Sequence, residues 1–161
     1  MKTIENYLNI LHFCFYKLDY KLHLLSNKIN PFRLLLKITI IKEKLEKKGI
    51  TDFQKDYNKA FEDRKYGLSM VFAGGFLWGT IAIFFFSLLI IFNVSISKLY
   101  IVACGVLSGI ISYIFVFKND KYIEYFDRYE KWSKTEKRKY NWLTIASIVG
   151  VFFLFYLGLK T

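Results

Sequence analysis

Apolar and polar positions fall into long blocks along this chain. Leu68–Phe92 runs for 25 residues and Leu99–Phe117 for 19 without an Asp, Glu, Lys, Arg or His, and Trp142–Leu159 is a third uncharged run. At about 1.5 Å of helical rise per residue, each can cross a hydrocarbon core of ~30 Å. The expected fold class is all-α: a polytopic helical membrane protein with three transmembrane helices, at about 68–92, 99–117 and 142–159. Residues 1–67 are expected to form a separate cytoplasmic amphipathic helical region, and 68–161 the three-helix membrane unit.

Before the first run the pattern changes to helical periodicity. Ile4, Leu8, Leu11, Phe15, Leu18, Leu22, Leu25 and Ile29 recur at 4-3-4 spacing, an apolar seam of the coiled-coil kind. Glu5, Asp19, Lys21 and Lys28 flank it, while Phe13 and Tyr20 sit on the opposite face. A bundle or partner seam, a helix lying in the headgroup layer and a core-facing stripe all fit such a pattern; the length of the seam favours the first. On that reading Leu11→Asp and Leu18→Asp should both break association, and Asn9→Asp, off the seam, should be silent. Asn30-Pro31 predicts a break and a second helix to about Lys48, with Gly49 as its C-terminal turn. Thr51-Asp52-Phe53-Gln54 has capping-box form and predicts a third helix continuing through Tyr66-Gly67 into the first span.

Between the second and third spans, 118–141 is expected to be a cytoplasmic basic and aromatic helix. Tyr122, Tyr125, Phe126, Tyr129 and Trp132 recur at helical spacing there, and Ser133-Lys134-Thr135-Glu136 is a second capping-box pattern. Rings beside cations suit the membrane interface. Lys118, Lys121, Arg128, Lys131, Lys134, Lys137, Arg138 and Lys139 are therefore the expected contacts to lipid headgroups.

Charge sets the orientation. The net charge is +11, and 22 of the 24 Lys and Arg lie in 1–67 and 118–141. Basic residues confined to alternate loops are the positive-inside pattern, which argues against nucleic acid as a partner. It predicts an integral protein of the bacterial cytoplasmic (inner) membrane, N-terminus in the cytoplasm, C-terminus outside, with no cleaved signal peptide. Cysteines placed at Ser95 and Thr161 should then react with an impermeant thiol reagent in intact cells. One at Lys134 should not, and labelling there would sink the three-span topology.

Small residues recur in each span: Gly75 and Gly79, Gly105 and Gly109, Ala146 and Gly150. Such small-xxx-small pairs let helices approach closely in lipid, and these six are the expected packing positions. The spans hold no charged side chain, which removes the usual parts of ion-coupled transport and charged filters. Thr80, Ser87, Ser108, Ser112, Thr144 and Ser147 are the remaining polar groups, expected to bond their own backbone or a neighbouring helix. His12 and His23 lie about 16 Å apart along one helix, too far for a shared metal, and are expected to be interface or partner-contact residues. Cys14 and Cys104 have no CxxC partner and read as small buried apolar residues. Asn93-Val94-Ser95 matches a glycosylation triplet by chance.

No catalytic, cofactor or metal site is therefore expected, and no enzyme. The expected function is a non-enzymatic integral membrane adaptor or accessory protein. The lipid bilayer is one partner, and a protein partner or a second copy binds through 1–67. The alternative is an oligomeric membrane-permeabilising effector. Three spans with basic cytoplasmic segments recur in phage lysis proteins and in membrane effectors of bacterial defence systems, an architecture shared without a motif.

Overall fold

The structure, a computed structural model, describes residues 2–29, 47, 53–95 and 97–160. Helix makes up 88% of these, and no strand occurs among them. In order they are α1 (Lys2–Ile29), α2 (Phe53–Glu62), α3 (Leu68–Ile91), α4 (Lys98–Ser112), α5 (Lys121–Glu130) and α6 (Lys134–Gly158). A π-helical turn (Tyr113–Phe117) and a 3-10 turn (Lys118–Asp120) join α4 to α5. The helix expected over 31–48 and the Thr51-Asp52 end of the first capping box lie outside the described residues.

Three helices are long and apolar enough to cross a membrane: α3, α6, and α4 with the turns and helix that continue it to Glu130. They mark a membrane-embedded protein. The residues form two compact units, Met1–Phe15 with Ala73–Thr161, and Tyr16–Phe72. This division differs from a boundary at 67/68, because α1 contributes its first half to the same unit as the apolar helices.

Local chemistry explains where the helices stop. α2 does not run on into α3: the Asp63 carboxylate accepts the Lys65 and Tyr66 amides at 2.7 and 2.9 Å. That local turn outcompetes the helical ladder. The same hydrogen bonds hold the exposed Asp63 carboxyl below the usual carboxylate range. Gly67 closes the turn by donating to the Asp63 carbonyl, so near that a Cβ would lie 2.2 Å from it. α3 ends at Asn93 in the left-handed region (φ 53), with Val94 donating to the Leu89 carbonyl and Asn93 to that of Ile90. This is the Schellman closure, for which asparagine is the best residue after glycine; Asn93 serves the turn. Asn119 and Asp120, both at positive φ, end the second apolar helix and re-aim the chain into α5. Ser133 and Glu136 form the reciprocal capping box at the start of α6, which then runs unbroken through the third apolar run.

Packing among the apolar helices uses different small residues from most of those expected. A Cβ on Gly75, Gly79 or Gly150 would meet nothing within 4 Å, and Ala146 is exposed. Gly105 and Gly109 do face a neighbour, the Trp78 indole, whose Nε1 donates to the Gly105 carbonyl at 2.8 Å. The closest approaches are Gly74 against Phe117 and Gly158 against Ile90, at 3.0 and 3.1 Å from a built Cβ. In lipid, apolar side chains are not driven together by solvent, so contact geometry decides which glycines matter. Gly109→Leu and Gly158→Leu should each lower stability in detergent by about 1–2 kcal/mol. Gly75→Leu and Gly79→Leu should leave the isolated chain unchanged. The reverse ranking in thermal-unfolding midpoints would overturn this assignment.

Five of the six span hydroxyls, Thr80, Ser87, Ser108, Thr144 and Ser147, donate to the carbonyl four residues back at 2.6–2.9 Å. Each of these hydroxyl protons is thereby used within its own helix. Cys14 and Cys104 are both buried, as expected of small apolar residues.

Candidate functional site

Every residue of α1 from Leu8 to Phe15 is buried, so this stretch is enclosed on all sides rather than along one stripe. Around His12 and Phe13 the enclosure comes from the aromatic residues of α5 and of the turns at its two ends. The His12 ring lies 5.2, 5.7 and 5.3 Å from those of Phe117, Tyr122 and Phe126. Phe13 packs edge-on to Phe126, Tyr129 and Trp132. Trp132 is itself stacked between Tyr129 and Tyr140, at 4.3 and 4.1 Å. Edge and offset contacts of this kind suit the ring quadrupoles and add to the area buried.

Polar groups fix the register. Asn9, fully buried, donates to the Glu5 carbonyl at 2.8 Å and to the Phe115 carbonyl at 3.0 Å. Phe115 lies in the π turn that ends the second apolar helix, where carbonyls lose their intrahelical donors. The Tyr129 hydroxyl donates to Asn6, and Glu5 accepts from Tyr125 and pairs with Lys121 at 3.4 Å. On α6, Ser147 donates to the Leu143 carbonyl, so the Tyr7 hydroxyl is the donor in its hydrogen bond to Ser147.

These contacts correct three expectations. The α5 aromatics Tyr122, Phe126 and Tyr129 are buried within the protein rather than presented on its outer surface. His12 faces its own chain, not a partner. Asn9, expected to be a silent position, is a structural hydrogen-bond donor. Its signal was present in the sequence as the lone amide in an apolar stretch.

The second unit holds the other half of α1, and there the faces are reversed. His23 stacks on Phe61 with centroids 3.6 Å apart. Asn27 donates to His23 Nε2 at 2.9 Å and to Asn58 Oδ1 at 2.8 Å, and the Tyr16 hydroxyl donates to the Glu62 carbonyl. Tyr16, His23 and Asn27 thus form a polar and aromatic stripe turned toward α2, and His23, like His12, contacts its own chain. The apolar stripe, Leu18, Leu22, Leu25 and Ile29, is 54–75% exposed. The expected eight-residue seam is therefore split. Leu8, Leu11 and Phe15 are buried in the first unit, Leu18 to Ile29 are exposed in the second, and Ile4 is exposed at the start.

The expected headgroup residues also divide. Lys121 is engaged by Glu5, Arg128 lies over the Tyr125 ring, Lys139 over Tyr140, and Lys118 and Lys131 are exposed. Lys134, Lys137 and Arg138 line a groove on α6. Among the described residues no group of three His, Cys, Asp or Glu could hold a metal ion. No family model matches the chain, and no curated protein and no solved structure matches it.

Proposed function

We propose that the chain is a non-enzymatic integral membrane adaptor of the bacterial cytoplasmic membrane, binding a protein partner or a second copy through the C-terminal half of α1. The reading is supported above all by the exposed Leu18, Leu22, Leu25 and Ile29 stripe, which lies outside the three apolar helices. A helix that turns its polar stripe inward and leaves leucines outward loses the burial that would normally stabilise it. A partner helix restores that burial. Lys21 and Lys28 are exposed beside the stripe, so the matching helix carries acidic flanks around an apolar seam. The positive-inside distribution supports a cytoplasmic position for this half of α1.

The test is a pair of substitutions at exposed positions, Leu22→Asp and Leu25→Asp, in the full chain. Each should keep the wild-type thermal midpoint in detergent while pull-down from solubilised membranes, or self-association by light scattering, is lost. Unchanged association in both variants would refute the adaptor reading. Deleting 1–30 is a poor substitute, because Leu8–Phe15 would be stripped from the first unit along with the stripe.

A permeabilising oligomer is the second reading, favoured by the empty space beside Gly75 and Gly79 on α3. Induced expression should leave the membrane potential intact for an adaptor and collapse it for a permeabilising oligomer.

A further inference from the structure

From the start of α6 we infer a discrete site for the phosphate of an anionic phospholipid, separate from the α1 stripe. Lys134, Lys137, Arg138, Asn141, Trp142 and Ile145 follow one face of that helix and line a groove of about 340 Å³. That volume is at the low end of small-molecule sites. Its chemistry is graded along the helix. Lys134, Lys137 and Arg138 supply three cations at the N-terminal end, Asn141 and Trp142 follow with an amide and an indole, and Ile145 closes the face within the apolar run that begins at Trp142.

No carboxylate lines the groove. The nearest acid in sequence, Glu136, is turned away into the capping box, where its carboxylate accepts from the Ser133 backbone and hydroxyl at 2.8 Å. Lys137 donates to the Glu130 carbonyl at 3.0 Å, which steadies the ammonium while leaving two of its three protons for a ligand. The guanidinium of Arg138 offers the planar fork that matches two phosphate oxygens.

Charge complementarity selects an anion, and the apolar end selects its source. A phosphate seated among the three cations at the N-terminal end leaves its glycerol beside Asn141 and Trp142. Its acyl chain then runs along Ile145 and the rest of the span. A free phosphate would use only half of the groove. The site thus distinguishes three of the eight basic residues of 118–141 from the other five, which lie elsewhere on the surface or are engaged by their own chain.

The experiment uses the full chain in mixed micelles with phosphatidylglycerol or phosphatidylcholine brominated on the acyl chains. The readout is the part of the tryptophan quenching that disappears in Trp142→Phe. Phosphatidylglycerol should half-saturate this component at about a tenfold lower mole fraction than phosphatidylcholine. The Lys134→Gln/Lys137→Gln/Arg138→Gln variant should bring the two lipids to parity, and Lys134→Gln/Arg138→Gln, which spares the Glu130 contact, should go most of the way. The charge-matched Lys118→Gln/Lys131→Gln/Lys139→Gln variant should keep the preference. Equal loss in both triple variants would overturn the proposal in favour of diffuse surface attraction. Displacement of the anionic lipid by millimolar inorganic phosphate would overturn it in favour of a soluble anion.

Discussion

Asn9→Asp should unfold the first unit or cost it about 3–5 kcal/mol, the range for a buried charge left without a partner. The amide nitrogen of Asn9 donates to two carbonyls, those of Glu5 and Phe115, at a fully buried position. An aspartate oxygen in its place is an acceptor facing two acceptors, and burial deprives it of water. Asn9→Leu should do less damage, about 1–3 kcal/mol, because it leaves only the Phe115 carbonyl unpaired. The ordering Asp worse than Leu is the diagnostic, since a purely steric site would rank them the other way. Thermal unfolding of the detergent-purified protein, followed by near-ultraviolet circular dichroism, reads it. Wild-type stability for Asn9→Asp would mean that α1 does not lie against the end of the second apolar helix.

Phe126→Ala should cost about 3–5 kcal/mol, as expected for truncating a large ring that is fully enclosed. The side chain is 0% exposed and touches the rings of His12, Phe13 and Tyr122, so the cavity would open between α1 and α5. Phe153→Ala, on an exposed face of α6, should change stability by no more than about 0.5 kcal/mol. The comparison separates two roles that identical residue types can fill. If Phe126→Ala proved as mild as Phe153→Ala, the α5 aromatics would be lipid-facing after all. A loss confined to Phe126 makes them the core that holds α1 in place.

Much of this protein is legible from one dimension. Three uncharged runs, each of a length that can cross a bilayer core, satisfy their backbones there as helices, and the structure has those helices. The Ser133–Glu136 capping box was readable because a cap is a local bargain between residues three apart. The absence of a CxxC spacing around Cys14 and Cys104 was likewise enough to read them as small buried residues, and both are buried.

What the sequence could not decide was which face of each helix is used. Along α1 the Leu8 to Ile29 seam and the stripe through Tyr16, His23 and Asn27 have the same helical period, so periodicity ranks neither for burial. The tertiary structure chose by polar satisfaction. Asn9 answers a carbonyl orphaned by the π turn, and His23, Asn27 and Asn58 answer one another, which leaves Leu18, Leu22, Leu25 and Ile29 outside. The glycines show the same limit. Gly75-xxx-Gly79 and Gly105-xxx-Gly109 are alike as patterns, yet only the second faces a neighbouring side chain, Trp78. Among apolar helices hydropathy is nearly uniform around the circumference, so it names the spans but not their contacts; shape and hydrogen bonding, set only when the helices meet, decide those.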